Sequence, residues 1–228
     1  MKEQFSRLSL IIGEENLDVI KTKKIIVFGV GGVGGHVVDA LARSGVEDIT
    51  IVDNDVVNMS NINRQLIASI STLGEKKVDV MEKHLLDINP DIKVTKLDCF
   101  YLPNEVDIDF TKYDYVIDAI DTVAAKIDII EKCHKLNVPI ISALGCGNKL
   151  DPSLLELTDI SKTSYDPLAK VLRKELRDRG INHLKVVYSK EQRELANKGK
   201  TPGSSAFVPS SAGLLIASAV IRDIIDKK

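Results

Sequence analysis

Lys24-Ile25-Ile26-Val27-Phe28-Gly29-Val30-Gly31-Gly32-Val33-Gly34 is the stretch whose reading decides the fold. A short apolar, β-branched run ends in a glycine turn, and Val37, Ala40 and Leu41 then recur at helical spacing. Strand, glycine turn and helix in that order open a βαβ unit. Without side chains at Gly29, Gly31, Gly32 and Gly34 the backbone approaches a phosphate or ribose closely, and the helix N-terminus adds free amide donors and a positive dipole end. Asp53 ends the next apolar run, 19 residues beyond Gly34, where a carboxylate accepts from ribose hydroxyls. NAD and ATP both carry a ribose, so these features alone leave the nucleotide open.

The pattern repeats outward. A strand is expected at residues 49–52, a helix at 77–88, a strand around Val94, a strand at 115–118, a helix at 126–136 and a strand at 139–143. In the 77–88 helix Val78, Met81, Leu85 and Ile88 share one face, and Asn89-Pro90 stops it. Alternation of this kind implies an α/β fold: a Rossmann-like, doubly wound, mostly parallel sheet with helices on both faces. Residues 1–228 read as one domain, with a nucleotide-binding core over 1–150 and a C-terminal extension over 151–228. The extension holds a strand near 154–158, a charged helix at 166–179, a strand at 184–188, a polar stretch at 189–204 read as a mobile loop, and a closing helix at about 210–226.

Composition narrows the function classes. Aromatic residues make up 4% of the chain and tryptophan is absent, which argues against a binder that stacks single-stranded bases. The N-terminus lacks a signal-peptide pattern, and the apolar run at 214–221 is too short to span a bilayer, so no membrane partner and a cytoplasmic location are expected. Cys99, Cys133 and Cys146 form no CxxC pair, which supports neither a disulfide framework nor a structural zinc and fits a reducing compartment. Cys146 reads as a small buried thiol, with substrate contact as the alternative, and His36, His84, His134 and His183 are dispersed without ligand spacing. The net charge of −2 conceals an asymmetry. Residues 1–161 carry 17 Lys and Arg against 26 Asp and Glu, whereas residues 162–200 carry 11 against 5. A basic block on an acidic chain is either a footprint for a polyanion such as RNA or a set of solvated helix faces. Arg173, Lys174 and Arg177 are its candidate phosphate contacts, with residues 185–200 as a second basic candidate.

The segment after Asp53 separates the two nucleotides. It reads Asp53-Asn54-Asp55-Val56-Val57-Asn58-Met59-Ser60-Asn61-Ile62-Asn63-Arg64-Gln65, and Lys77 follows Arg64 by thirteen residues. Hydride transfer gains nothing from a fixed arginine here. Two cations converging on a nucleotide whose ribose is held by Asp53 suit a triphosphate that develops charge as pyrophosphate departs. Asp121, beyond the 115–118 strand at the carboxyl edge of the sheet, is a candidate ligand for the magnesium that accompanies ATP.

This constellation resembles the ubiquitin-activating-enzyme-like, ThiF-type adenylyltransferases, and the resemblance covers nearly the whole chain. It implies that Asp53 binds ribose, that Asp55, Asn61 and Arg64 belong to the nucleotide site, that Arg64 and Lys77 bind phosphates, and that Asp121 serves Mg2+ and the activated carboxylate. It also implies a homodimer in which Arg7, in Gln4-Phe5-Ser6-Arg7-Leu8, acts in trans at the partner's site. Many members activate a ubiquitin-like or sulfur-carrier protein and hold zinc on paired CxxC motifs; this chain departs from that pattern, which puts carrier activation in doubt. The closer resemblance is to the tRNA threonylcarbamoyladenosine dehydratases. It runs through Ala42-Arg43-Ser44-Gly45-Val46, Asn61-Ile62-Asn63-Arg64-Gln65, Ile88-Asn89-Pro90 and Asp118-Ala119-Ile120-Asp121. It continues beyond the shared nucleotide core through Asp151-Pro152, Lys162-Thr163 and Asp166-Pro167-Leu168. That branch implies tRNA as substrate, ATP and Mg2+ as cofactors, and a place for a cysteine-desulfurase or sulfur-acceptor partner. The alternatives are a carrier-protein adenylyltransferase and a scaffold that binds ATP without turnover.

Overall fold

The computed structural model describes residues 3–192 and 202–226; most of the polar 189–204 stretch therefore lies outside the described residues. Seven strands form one sheet in the order β3-β2-β1-β4-β5-β7-β6. Strands β1 (Lys24–Phe28), β2 (Asp48–Val52), β3 (Lys93–Leu97), β4 (Tyr115–Asp118), β5 (Ile140–Ala143) and β7 (Lys185–Ser189) run parallel, and β6 (Leu155–Asp159) pairs antiparallel with β7. Residues 25–28 of β1 are fully buried between β2 and β4, which is why this strand reads as an unbroken apolar run rather than an alternating one. The order reverses between β1 and β4, a topological switch point, and crevices at such points take ligands in open α/β sheets. Strands β6 and β7, both from residues beyond 150, extend the same sheet past β5.

Helices α3 (Gly34–Arg43), α4 (Lys77–Ile88) and α6 (Pro167–Asp178) fall where the sequence places them, and α5 (Val123–Leu136) starts three residues before the expected 126. Two short N-terminal helices do not: α1 (Ser6–Ile12) and α2 (Glu14–Lys21) meet at Gly13, whose φ of 83° an L side chain rarely adopts. Phe5, Leu17 and Ile20 anchor them in the core, while Leu10 and Ile11 stand exposed.

The closing helix α7 (Phe207–Asp226) starts three residues earlier than the apolar spacing suggests, and its 20 residues are long and apolar enough to cross a membrane by length and composition. It is instead a packed helix, 56% buried over its most apolar window. Gly213 brings it against the first turn of α3, so close that an added Cβ would lie 2.5 Å from the Val33 carbonyl oxygen. Asp223 fastens the other end by accepting from the Tyr115 hydroxyl at 2.7 Å and the Lys185 ammonium at 2.6 Å.

Candidate functional site

A cleft of about 590 Å³ opens at the carboxyl ends of β1, β2, β4 and β5, lined by the glycine turn, Asp53, Ala119 to Thr122 and Ala143 to Gly147. The four glycines divide their work. Gly29 has φ +87°, and an added Cβ would sit 2.8 Å from the Ala119 carbonyl oxygen, so it lets β1 turn tightly beside β4. Gly34 does not line the cleft: a Cβ there would collide with the Gly29 carbonyl, so its role is to seat α3 against the turn rather than to admit a phosphate. Gly31 and Gly32 face the cleft. The nearest neighbour of a Cβ at Gly31 is the Gln65 amide at 3.8 Å, and Gly32 lies under the Arg64 stem and Pro209 at 3.3 Å.

Asp53 is half-buried and already engaged. One oxygen accepts from the Val30 amide at 2.7 Å and the other from the Asp55 amide at 2.9 Å, so the carboxylate fastens the glycine turn to the end of β2. Asn61 is buried and caps its own turn, accepting from the Asn58 amide at 3.0 Å. Lys77, at the first position of α4, is 4% exposed and donates to Asp55 at 2.7 Å. A cation at the positive end of a helix dipole is unfavourable alone, and Asp55 offsets it. Arg64 is half-buried, with its guanidinium donating to the Ser60 carbonyl at 2.8 Å and Asn63 Oδ1 at 3.0 Å. Asp121 is exposed on the loop between β4 and α5. Gly31, Gly32, Asp53, Asp55, Asn61, Arg64, Lys77 and Asp121 thus line one cleft. Arg7 does not: it is exposed on α1, outside this chain's own cleft.

Three further features escaped the sequence reading. Gln65 is 8% exposed, lines the cleft, and its Oε1 has no hydrogen-bond partner, which is costly unless a ligand supplies one. Behind the cleft Lys126 and Asp118 form an ion pair at 2.8 Å with neither side chain exposed. Asp166 caps α6 by accepting from the Ala169 amide at 2.9 Å and accepts with its other oxygen from the Gly145 amide at 3.0 Å, so it also pins the turn after β5. Cys146 lies between these groups, where burial and then the Asp166 carboxylate push its thiol up to about 12; burial likewise pushes Cys133 up to about 12. Neither supplies a thiolate near neutral pH.

The basic helix is only partly as expected. Arg173 is half-buried, and its guanidinium donates to both the carbonyl and the hydroxyl of Thr163, so it braces the Lys162-Thr163 turn. Arg179 pairs with Glu175 at 3.0 Å and Glu131 at 3.6 Å. Lys170, Lys174 and Arg177 are exposed and, with Arg173, Pro167 and Val171, line a groove on the outer side of α6.

A doubly wound sheet with a glycine turn, a strand-end carboxylate and two cations around a switch-point cleft defines a nucleotide-binding α/β protein. The sequence profile of the ThiF family matches residues 2–228, and the chain belongs to that family. It is 44% identical to the tRNA threonylcarbamoyladenosine dehydratase of Bacillus subtilis, over 99% of this chain and 96% of that one. The crystal structure of the E. coli tRNA N6-threonylcarbamoyladenosine dehydratase in complex with AMP superposes with a TM-score of 0.91 at 31% identity, covering 99% of this chain and 95% of that one. The same enzyme in complex with ATP gives 0.90 at 32% identity with the same coverage.

Proposed function

We propose that this chain cyclises N6-threonylcarbamoyladenosine in tRNA, using ATP to activate the threonyl carboxylate. The observation that carries the reading is the 44% identity to a dehydratase along the full length of both chains, the extension included. A free carboxylate resists attack by nitrogen. One of its oxygens first displaces pyrophosphate from the α-phosphorus of ATP, giving an acyl adenylate. The carbamoyl nitrogen then attacks the acyl carbon, the C–O bond to AMP breaks, and the nitrogen's proton is lost; across both steps the tRNA loses one water. Ring closure is intramolecular, so orientation alone is worth roughly 7–11 kcal/mol of barrier. No protein nucleophile is needed, in keeping with the protonated Cys133 and Cys146 thiols.

Asp53 accepts from the ribose hydroxyls through lone pairs not used on Val30 and Asp55, Asn61 and Gln65 contact the nucleotide, and Arg64 and Lys77 stabilise charge on the phosphates. Asp55 holds Lys77 until the nucleotide arrives, which the 2.7 Å ion pair supports. Mg2+ suits Asp121: no group of three acidic, His or Cys side chains gathers as a metal cage among the described residues, and an ion that keeps its waters and phosphate ligands asks for one carboxylate. When bound it would neutralise charge on the departing pyrophosphate. In a homodimer the exposed Arg7 of one protomer serves the cleft of the other. Lys170, Lys174 and Arg177 meet tRNA phosphates. Free thiols at Cys99, Cys133 and Cys146 suit a reducing cytoplasm.

The test is direct: incubate the chain with ATP and tRNA bearing the modification, digest the tRNA and weigh its nucleosides. Loss of one water from threonylcarbamoyladenosine, matched by AMP formation, is expected with or without a cysteine-desulfurase and sulfur-acceptor pair. An unchanged nucleoside in the presence of bound ATP contradicts the reading.

A further inference from the structure

Lys126 and Asp118 are opposite charges sealed from solvent, and the chemistry above uses neither. Besides its 2.8 Å contact with Asp118, Lys126 Nζ donates to the Ala143 carbonyl at 2.7 Å, and its own amide donates to the Thr122 carbonyl at 3.0 Å. Asp118 Oδ1 accepts from the Ile120 amide at 3.4 Å. Three pieces of backbone therefore converge on one ammonium and one carboxylate: the end of β4, the first turn of α5 and the end of β5. Immediately beyond these joins lie Ala119, Ile120, Asp121 and Thr122 on one side and Leu144 to Gly147 on the other, all lining the cleft. Asp53, Arg64 and Lys77 are carried elsewhere, just beyond β2, on the segment that follows it and at the first position of α4. Removing two charges from water costs more than burying apolar groups of the same size, so such a pair is a weak device for stability alone. Its distinctive product is a fixed geometry.

We propose that Lys126 and Asp118 are positioning residues: they hold the Asp121 loop and the 144–147 turn in the register that the activated carboxylate requires, and they act through Asp121 without touching substrate. The activity arm of this proposal rests on the cyclisation reading; the structural arm does not.

The Asp118→Asn/Lys126→Met variant removes both charges together, so no unpaired buried charge is left to unfold the chain. It is expected to melt cooperatively and bind ATP as the parent does. Amide hydrogen exchange should speed up at residues 119–122 and 143–147 and stay unchanged at 29–35. In turnover with ATP and the modified tRNA, kcat should fall by about a hundredfold, the cost of a misplacement near 1 Å, with KM for ATP unmoved. In a cycle with Asp121→Ala, the combined variant should be no slower than Asp121→Ala alone, as for groups that act as one unit. Unchanged exchange at both segments, a general rise in exchange, or additive losses in the cycle would overturn the proposal. A parent chain that converts no tRNA would refute the cyclisation reading, and the exchange comparison would still decide this one.

Discussion

Asp55 and Lys77 illustrate what single residues do at the nucleotide end of the cleft. Lys77 is buried and its charge is held on a carboxylate that is largely exposed, so its ammonium is preorganised at no further desolvation cost when a phosphate replaces Asp55. Removing one donor to charge that develops in a transition state typically costs about 2.7–4 kcal/mol, or 10²–10³ in kcat. Lys77→Ala and Arg64→Ala should each reach that range in AMP formation while circular dichroism and melting stay near the parent; near-normal turnover in both would remove them from the phosphate site. Both residues were legible in the sequence because their order after a glycine turn is itself the signal. Gln65 and Lys126 were not. Gln65 sits beside Arg64 in the same motif, but only three-dimensional burial exposes its unpaired oxygen. Lys126 meets Asp118 across a loop, eight residues away, and a helix-face lysine carries no mark of burial in sequence.

At the scale of elements, Asp166-Pro167 was legible as a boundary and proves to be one: a carboxylate cap followed by proline at the first helical position. Its second hydrogen bond, to Gly145, was not legible, because the turn it fastens is 21 residues away. The N-terminal helices α1 and α2 escaped for a different reason. They are too short to show a periodic face, and Phe5, Leu17 and Ile20 are buried only through tertiary contacts. In α6 the spacing of basic residues was right and the outcome mixed, since helical period alone does not say which face packs. Arg173 shares the groove with Lys170, Lys174 and Arg177, but its guanidinium is held by Thr163, so the exposed set is Lys170, Lys174 and Arg177. Replacing those three by alanine should weaken tRNA binding and reduce the slope of log K against log salt by about 1 per lost phosphate contact, with ATP affinity unchanged. A slope and affinity equal to the parent's would take α6 out of the RNA footprint.

Across the whole molecule, the doubly wound, mostly parallel sheet followed from the alternation of apolar runs. The position of α7 did not. Its apolar composition is compatible with a core helix or a membrane span, and only Gly213 within it, where Val33 and His36 pack too closely for a side chain, hints at a tight helix crossing. Arg7 is a question of assembly, because it stands outside its own chain's cleft. If protomers share sites, mixing an Arg7→Ala chain with an Asp121→Ala chain should restore activity, since one site of each heterodimer then carries neither lesion. No recovery under conditions that demonstrably exchange subunits would confine each site to one chain.

If ATP is consumed to adenylate a carboxylate on tRNA, ATP–pyrophosphate exchange measures that step before any ring closes. Exchange is expected to depend on tRNA bearing threonylcarbamoyladenosine and to be absent with unmodified tRNA or with a ubiquitin-like carrier protein. Exchange that follows the carrier protein instead, or ATP binding with no exchange under any of the three conditions, would contradict adenylation on tRNA.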